Sequence, residues 1–357
     1  MAIIEYKCPR CGGALVFDSG KQKMVCPFCD SEFEVEAIKQ HDENLKSAKE
    51  DGVKWDKAPE TSEWKKGELE GMILYTCTSC GGEIVGDEST VAKQCPYCGN
   101  TAIIRNQVEG MLRPDMVIPF MISKKQAKSA LLKFYEKKPL LPASFKSKSQ
   151  IDSITGIYAP FWLYSCDASA SLQYRGTQST FWSDTRYNYT KTDTYDLFRD
   201  GEMRFSHVPA DGSSKLDDRF MEAIEPFDYR EAVDFTTAYL AGFLADKYDV
   251  DAESCKPRID ERIRNSAIDS FASTVVQYSA VMTRCGVSAE NTSVKYALLP
   301  VWLLNAKYGG KIYSFAMNGQ TGKFIGELPV HWGKFWGMLL GIFAGLSAVG
   351  CLIASLF

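Results

Sequence analysis

The chain has 357 residues, of which 45% are hydrophobic and 24% charged, and a formal net charge of −4. Such a composition excludes a disordered chain and allows two or three domains with buried cores. The acidic balance argues against a dedicated nucleic-acid binder, which needs a basic face for phosphate contacts.

The N-terminus, MAIIEYKCPRC, lacks a basic start followed by an apolar run, so no signal peptide is expected and the cysteines should stay reduced. Eight of the twelve cysteines fall in four Cys-x-x-Cys pairs. Cys8, Cys11, Cys26 and Cys29 make one set in residues 1–35. Cys77, Cys80, Cys95 and Cys98 make the other in residues 71–110. Fourteen residues separate the two pairs in each set, room for a short β-hairpin. Two sulfurs so close in sequence bite one ion only across a tight turn. Pro9, Pro27 and Pro96 preset such a turn, and Gly12, Gly81 and Gly99 allow the positive φ that follows. Four cysteines per site leave no ligand position open for water, which points to two structural Zn2+ ions in two zinc ribbons rather than to catalysis. A redox dithiol would want a neighbouring βαβ pattern, and there is none. Residues 1–35 carry four Lys/Arg against five Asp/Glu, and residues 72–109 carry two against four. That charge favours protein docking or internal support over nucleic acid.

Residues 36–70 read as a charged linker broken at Gly52 and Pro59; a docked helix is the alternative, because Trp55 and Trp64 need cover. Residues 111–330 read as a mixed α+β domain. Ser123 and Gln126 form a capping box ahead of a helix bearing Ala127, Ala130, Leu131, Phe134 and Tyr135. A second helix is expected from the Asp228–Glu231 cap to about Tyr248, and a third after Pro257. Ile157–Arg175 and Tyr187–Phe205 read as strands. Val294–Tyr308 and Lys311–Met317 flank Gly309-Gly310 as a hairpin, with a turn at Asn318-Gly319. An internal duplication is suggested by Pro160-Phe-Trp162-Leu163 echoing Pro300-Val-Trp302-Leu303, and by Pro119-Phe120 echoing Pro226-Phe227.

No phosphate loop or nucleophile elbow occurs. His41, His207 and His331 have no motif partners. Asp217, Asp218, Glu222 and Glu225 read as a solvated acidic face. The isolated Cys166, Cys255, Cys285 and Cys351 read as buried apolar fillers. No catalytic residue is expected.

Residues 331–357 form the last segment. Its uncharged run, residues 335–357, would be about 35 Å long as a helix, enough for a bilayer core of about 30 Å. Trp332 and Trp336 suit the boundary, with Lys334 outside. The expectation is a single-pass tail anchor with the bulk of the chain cytoplasmic. Gly337, Gly341 and Gly345 lie four apart and make one face suited to helix association.

The double ribbon, Leu112-Arg-Pro-Asp-Met-Val-Ile-Pro-Phe120, Gly156-Ile-Tyr-Ala-Pro-Phe-Trp-Leu163, Leu299-Pro-Val-Trp-Leu-Leu-Asn305 and Phe315-Ala-Met-Asn-Gly-Gln-Thr-Gly-Lys323 together resemble the bacterial TFIIB-type zinc-ribbon membrane proteins. Members are sometimes labelled primosomal or helicase-like, yet no helicase motor motif occurs here. The resemblance implies a membrane platform that recruits flotillin-like or phage-shock-type partners during envelope stress, and it supplies no catalytic residues. The expectation is thus a non-enzymatic membrane adaptor. The alternative is a membrane-tethered nucleic-acid-binding protein.

Overall fold

The structure, a computed structural model, describes residues 6, 8, 15–27, 32–36, 38–39, 55, 64–87, 94–101, 103–108 and 110–356. Strands β1 (Val16–Asp18), β2 (Lys23–Val25) and β3 (Glu32–Phe33) form a small antiparallel sheet. Next come β4 (Met72–Cys77), β5 (Glu83–Asp87), β6 (Ile103–Asn106) and β7 (Met116–Val117). Helix α1 (Lys124–Glu136) and the short α2 (Lys148–Asp152) precede two long strands, β8 (Thr155–Ser183) and β9 (Asn188–Asp211). Helix α3 (Asp218–Ala223), β10 (Val233–Asp234), β11 (Leu244–Asp246) and α4 (Ala252–Ala272) follow. The chain ends with β12 (Ser279–Tyr308), β13 (Lys311–Asn318), β14 (Phe324–Gly326) and α5 (Trp332–Leu356). The architecture is mixed α+β, as expected.

Two compact units share these elements. One gathers residues 1–58, 164–208 and 256–294; the other gathers 59–163, 209–255 and 295–357. The units alternate along the sequence, and β8, β9 and β12 each supply residues to both. The boundaries expected near residues 35, 70 and 110 do not coincide with the edges of these units. Pairing explains this for residues 71–110: β5 is antiparallel to β11, Ala245 facing Val85, and β11 is parallel to β8. The sheet runs β10-β7-β12-β8-β11-β5-β4-β6, with β13 on β12 and β14 on β13.

Within the second unit, Tyr75, Cys77, Ile84, Cys95, Phe161, Leu163, Leu216 and Val301 share one core. A second core, of Leu131, Tyr135, Phe145, Trp302, Phe315 and Met317, lies under α1. The Ser123 capping box forms as expected: Ser123 Oγ accepts from the Gln126 amide, and the Gln126 side chain accepts from the Ser123 amide. The expected hairpin at Gly309-Gly310 also forms, Tyr308 pairing with Lys311.

The two Pro-x-Trp-Leu strands bond alike. Trp162 Nε1 donates to Val250 O at 2.9 Å, and Trp302 Nε1 to Ile122 O at 3.0 Å. The amide of Gly212 donates to Pro160 O, and that of Gly319 to Pro300 O, both at 2.8 Å. Gly212 O accepts from Asp249 and Val250, as Gly319 O accepts from Met121 and Ile122. β11 runs parallel to β8, and β7 parallel to β12. The segment matching Ile118-Pro119-Phe120 in this scheme is Asp246-Lys247-Tyr248. The Pro226-Phe227 echo is thus misplaced: it follows α3, in a loop held by Asn318 Nδ2, which donates to Ile224 O and Pro226 O.

Two helix expectations are corrected. Asp228 caps only the 3-10 turn Tyr229–Glu231. β10, a second 3-10 turn at Thr237–Leu240 and β11 occupy the rest of the expected helix. Gly242, at φ +80°, ends any helical run, and β11 earns its place by ladder bonds on both sides. Helix α4 starts at Ala252, five residues before Pro257. The start is set by Asp251, whose Oδ1 accepts from the Ser254 amide at 2.7 Å, rather than by the proline.

The tryptophans of residues 36–70 are both covered. Trp55 is buried edge-on against Tyr164, and its Nε1 donates to Asp260 at 2.7 Å. Trp64 Nε1 donates to Met111 O at 2.7 Å. Near it, Arg113 is buried and holds the Glu68 carboxylate through two donors, which keeps that carboxyl below its ordinary range. Residues 64–70 are accordingly docked; His41 lies outside the described residues.

Among the described residues, α5 is the one helix long and apolar enough to cross a bilayer, and no part of its apolar stretch Trp332–Cys351 is buried. Leu340, Phe343 and Leu346 are each more than 60% exposed, which distinguishes it from a core helix.

Candidate metal centre

The second cysteine set is brought together. β4 ends on Cys77. The chain then turns so that the Gly81 amide donates back to Cys77 O at 2.9 Å, with Gly81 at φ +70°. The other half repeats this: the Gly99 amide donates to Cys95 O at 2.9 Å, with Gly99 at φ +72°. Only glycine adopts such a φ without strain, so both glycines shape the turns that aim the sulfurs. Gly82 has a separate reason to lack a side chain: a Cβ there would stand 2.7 Å from the Tyr97 ring.

The four sulfurs lie within 4.8 Å of one another. Cys77 Sγ is 3.6 Å from Cys98 Sγ, and Cys80 Sγ is 3.6 Å from Cys95 Sγ. Four thiolates about 2.3 Å from a tetrahedral zinc ion stand roughly 3.8 Å apart, so this set fits one metal ion with little movement. Cys77 and Cys95 are buried, and Cys80 and Cys98 are half-buried.

Burial raises the Cys95 and Cys80 thiols above their ordinary range. At Cys77 burial is outweighed by the amides of Cys80 and Ser79, and the thiol falls to about 7. A bound cation reverses the remaining penalty, because it deprotonates coordinating thiols outright.

Two residues beside the site carry no sequence motif. Asn305 Nδ2, on β12, donates to Pro96 O at 2.6 Å and to Tyr97 O at 2.7 Å, and so clamps the second turn to the main sheet. Its only signal is its position just after Trp302-Leu303-Leu304. Asp246, on β11, is buried, and its Oδ2 has no hydrogen-bond partner among the described residues. Burial pushes its carboxyl up to about 7 although Ser213 pulls the other way.

Of the first set, Cys8 and Cys26 are buried in a small cluster with Leu15, Met24 and Ile38. Cys11 and Cys29 lie outside the described residues. The remaining candidates take ordinary structural roles. Asp217 caps α3 and pairs with Arg219 at 2.7 Å. The His207 amide donates to Ser165 Oγ, and His331 Nδ1 accepts from the Lys334 amide. Cys166 and Cys255 are buried, but Cys285 is only half-buried and Cys351 is exposed on α5, so the filler reading fails for Cys351.

No family model and no solved structure matches the chain. An uncharacterized protein of Bacillus subtilis (strain 168), YdjG, is 36% identical over 361 residues, which span 99% of this chain and 100% of the relative.

Proposed function

We propose that this chain, which belongs to the family of Bacillus subtilis YdjG, is a non-enzymatic membrane-anchored adaptor that holds partner proteins at the cytoplasmic face. The observation that carries this reading is α5, whose apolar stretch Trp332–Cys351 has no buried part. Such a surface is costly in water and favourable in a bilayer. The four-thiol cluster supports a cytoplasmic body, since thiolates persist as metal ligands where the compartment is reducing. In this reading the ion is zinc, and Cys8, Cys11, Cys26 and Cys29 bind a second one. Four sulfur ligands close the coordination shell, which suits a folding role and leaves no place for a reacting water. The matched bonding around Trp162 and Trp302 supports an internal duplication. Gly337, Gly341 and Gly345, with open space where each Cβ would lie, offer a face for a neighbouring helix. The adaptor belongs, by its motifs, with the TFIIB-type zinc-ribbon membrane proteins, and its partners are flotillin-like or phage-shock-type proteins.

The test is in-cell crosslinking of the full chain, followed by detergent extraction and partner identification. Recovery of the same membrane-associated proteins with the wild type, and their loss when Cys77 and Cys95 are replaced, is expected. Failure to recover any protein that depends on the folded body would overturn the adaptor reading.

A further inference from the structure

Residues 123–152 hold eight lysines and two acids, Glu136 and Asp152, in a chain whose net charge is −4. Lys128 is half-buried and bridges to Asp152 at 2.6 Å. The other seven are exposed, and none forms an ion pair with a described residue.

The place of this segment gives the charge its meaning. The His331 amide donates to Leu140 O at 2.9 Å, and Lys334 Nζ donates to Leu141 O at 2.7 Å. The first turn of α5 is therefore bonded to the loop that follows α1. Lys137 and Lys138 sit within four residues of those bonds. Lys133 is in the last turn of α1, and Lys146 ends the 3-10 turn Ala143–Lys146. Trp332 and Trp336, beside Lys334, are more than half exposed, as suits side chains at a headgroup boundary. Charge held at the water end of a membrane helix feels anionic headgroups over a Debye length, about 8 Å.

We propose that Lys133, Lys137, Lys138 and Lys146 form a docking surface for the anionic phospholipid headgroups of the bilayer that α5 enters. The inference rests on α5 being a membrane anchor. The lipid is chosen over an acidic protein because the bonds from His331 and Lys334 tie this surface to the point where the chain meets its own membrane. The surface orients the folded body on the bilayer, and it makes that orientation depend on lipid charge.

The experiment reconstitutes the full chain into vesicles of phosphatidylcholine alone, or with phosphatidylglycerol as a third of the lipid. Alkaline extraction reports whether α5 is inserted. Amine labelling read by mass spectrometry then reports on each lysine. We expect inserted protein in both lipids, with Lys133, Lys137, Lys138 and Lys146 labelled several-fold more slowly when phosphatidylglycerol is present, and the difference erased by high salt. A Lys137→Glu, Lys138→Glu, Lys146→Glu variant should insert equally but lose the difference at Lys133. Equal labelling in the two lipids with α5 inserted overturns the proposal and leaves the anchor intact. Slow labelling in both lipids means that these lysines are covered by something other than anionic lipid, and overturns it too. Extraction of the chain from both vesicles sinks the anchor reading, and the docking surface with it.

Discussion

Cys95 is the thiol whose loss should be felt most, because it is buried and its amide donates to Asn100 O at 2.8 Å, closing the turn that carries Cys98. Replacing it by serine leaves three sulfurs and a hard, neutral oxygen that a soft-ligand site does not favour. Cys95→Ser in the full chain is expected to lose one equivalent of metal by elemental analysis and to lower the thermal midpoint by several degrees. Asn305 tests the site from outside the ligand set. Asn305→Leu removes two hydrogen bonds and strands Pro96 O and Tyr97 O, a cost of about 1–3 kcal/mol. Competition with a chelator should show weaker metal retention while the four cysteines stay in place. The ligands themselves are legible as Cys-x-x-Cys pairs. Asn305 and Asp246 are not, since each sits on a strand more than a hundred residues from the cysteine turns.

Asp246 supplies a pH dependence of definite sign. Burial raises its carboxyl to about 7 in the folded chain, whereas an unfolded aspartate titrates near about 3.9. Between those values the folded state holds a proton that the unfolded state has released, so this group's contribution to stability falls as pH rises through the window. Below about pH 4 both states are protonated and the slope vanishes. Asp246→Asn should flatten the profile and make the chain more stable than wild type at pH 8, by on the order of 2–4 kcal/mol. Denaturant melts at pH 5 and pH 8 for both proteins read the difference directly; parallel profiles would mean that Asp246 keeps its charge.

At the scale of elements, local chemistry was readable and long-range pairing was not. The Ser123–Gln126 box and the Gly309-Gly310 hairpin are short-range devices, and both form as their residues dictate. The helix expected from Asp228 fails because the residues around Val233 and Leu244 are taken by ladders with β7, β5 and β8, which no local pattern announces. The echo of Trp162 in Trp302 is visible in sequence, but its partner segments at Ile122 and Val250 differ in every side chain and share only backbone roles. That equivalence predicts matched energetics. Trp162→Phe and Trp302→Phe each strand one carbonyl and trim one ring, so each should cost about 2–4 kcal/mol in urea unfolding. A large gap between the two would show that the bonds are alike in form only.

For the whole molecule, the decisive division is between α5 and everything else. The core that holds Cys77 and Cys95 contains no residue of α5, and neither does the core under α1. Among the described residues, the hydrogen bonds from the start of α5 to the body are those of His331 and Lys334 with the carbonyls of Leu140 and Leu141. Removing residues 332–357 therefore deletes a large exposed apolar area and little that the fold uses. The truncated chain should move from the pelleted membrane fraction to the supernatant, keep its metal content, and melt within a few degrees of the detergent-solubilised full chain. Fractionation, elemental analysis and a thermal melt on the two proteins make the comparison. Loss of metal or persistent pelleting would place α5 inside the folding unit, where a buried helix, not a bilayer anchor, is what its apolar length would then have served.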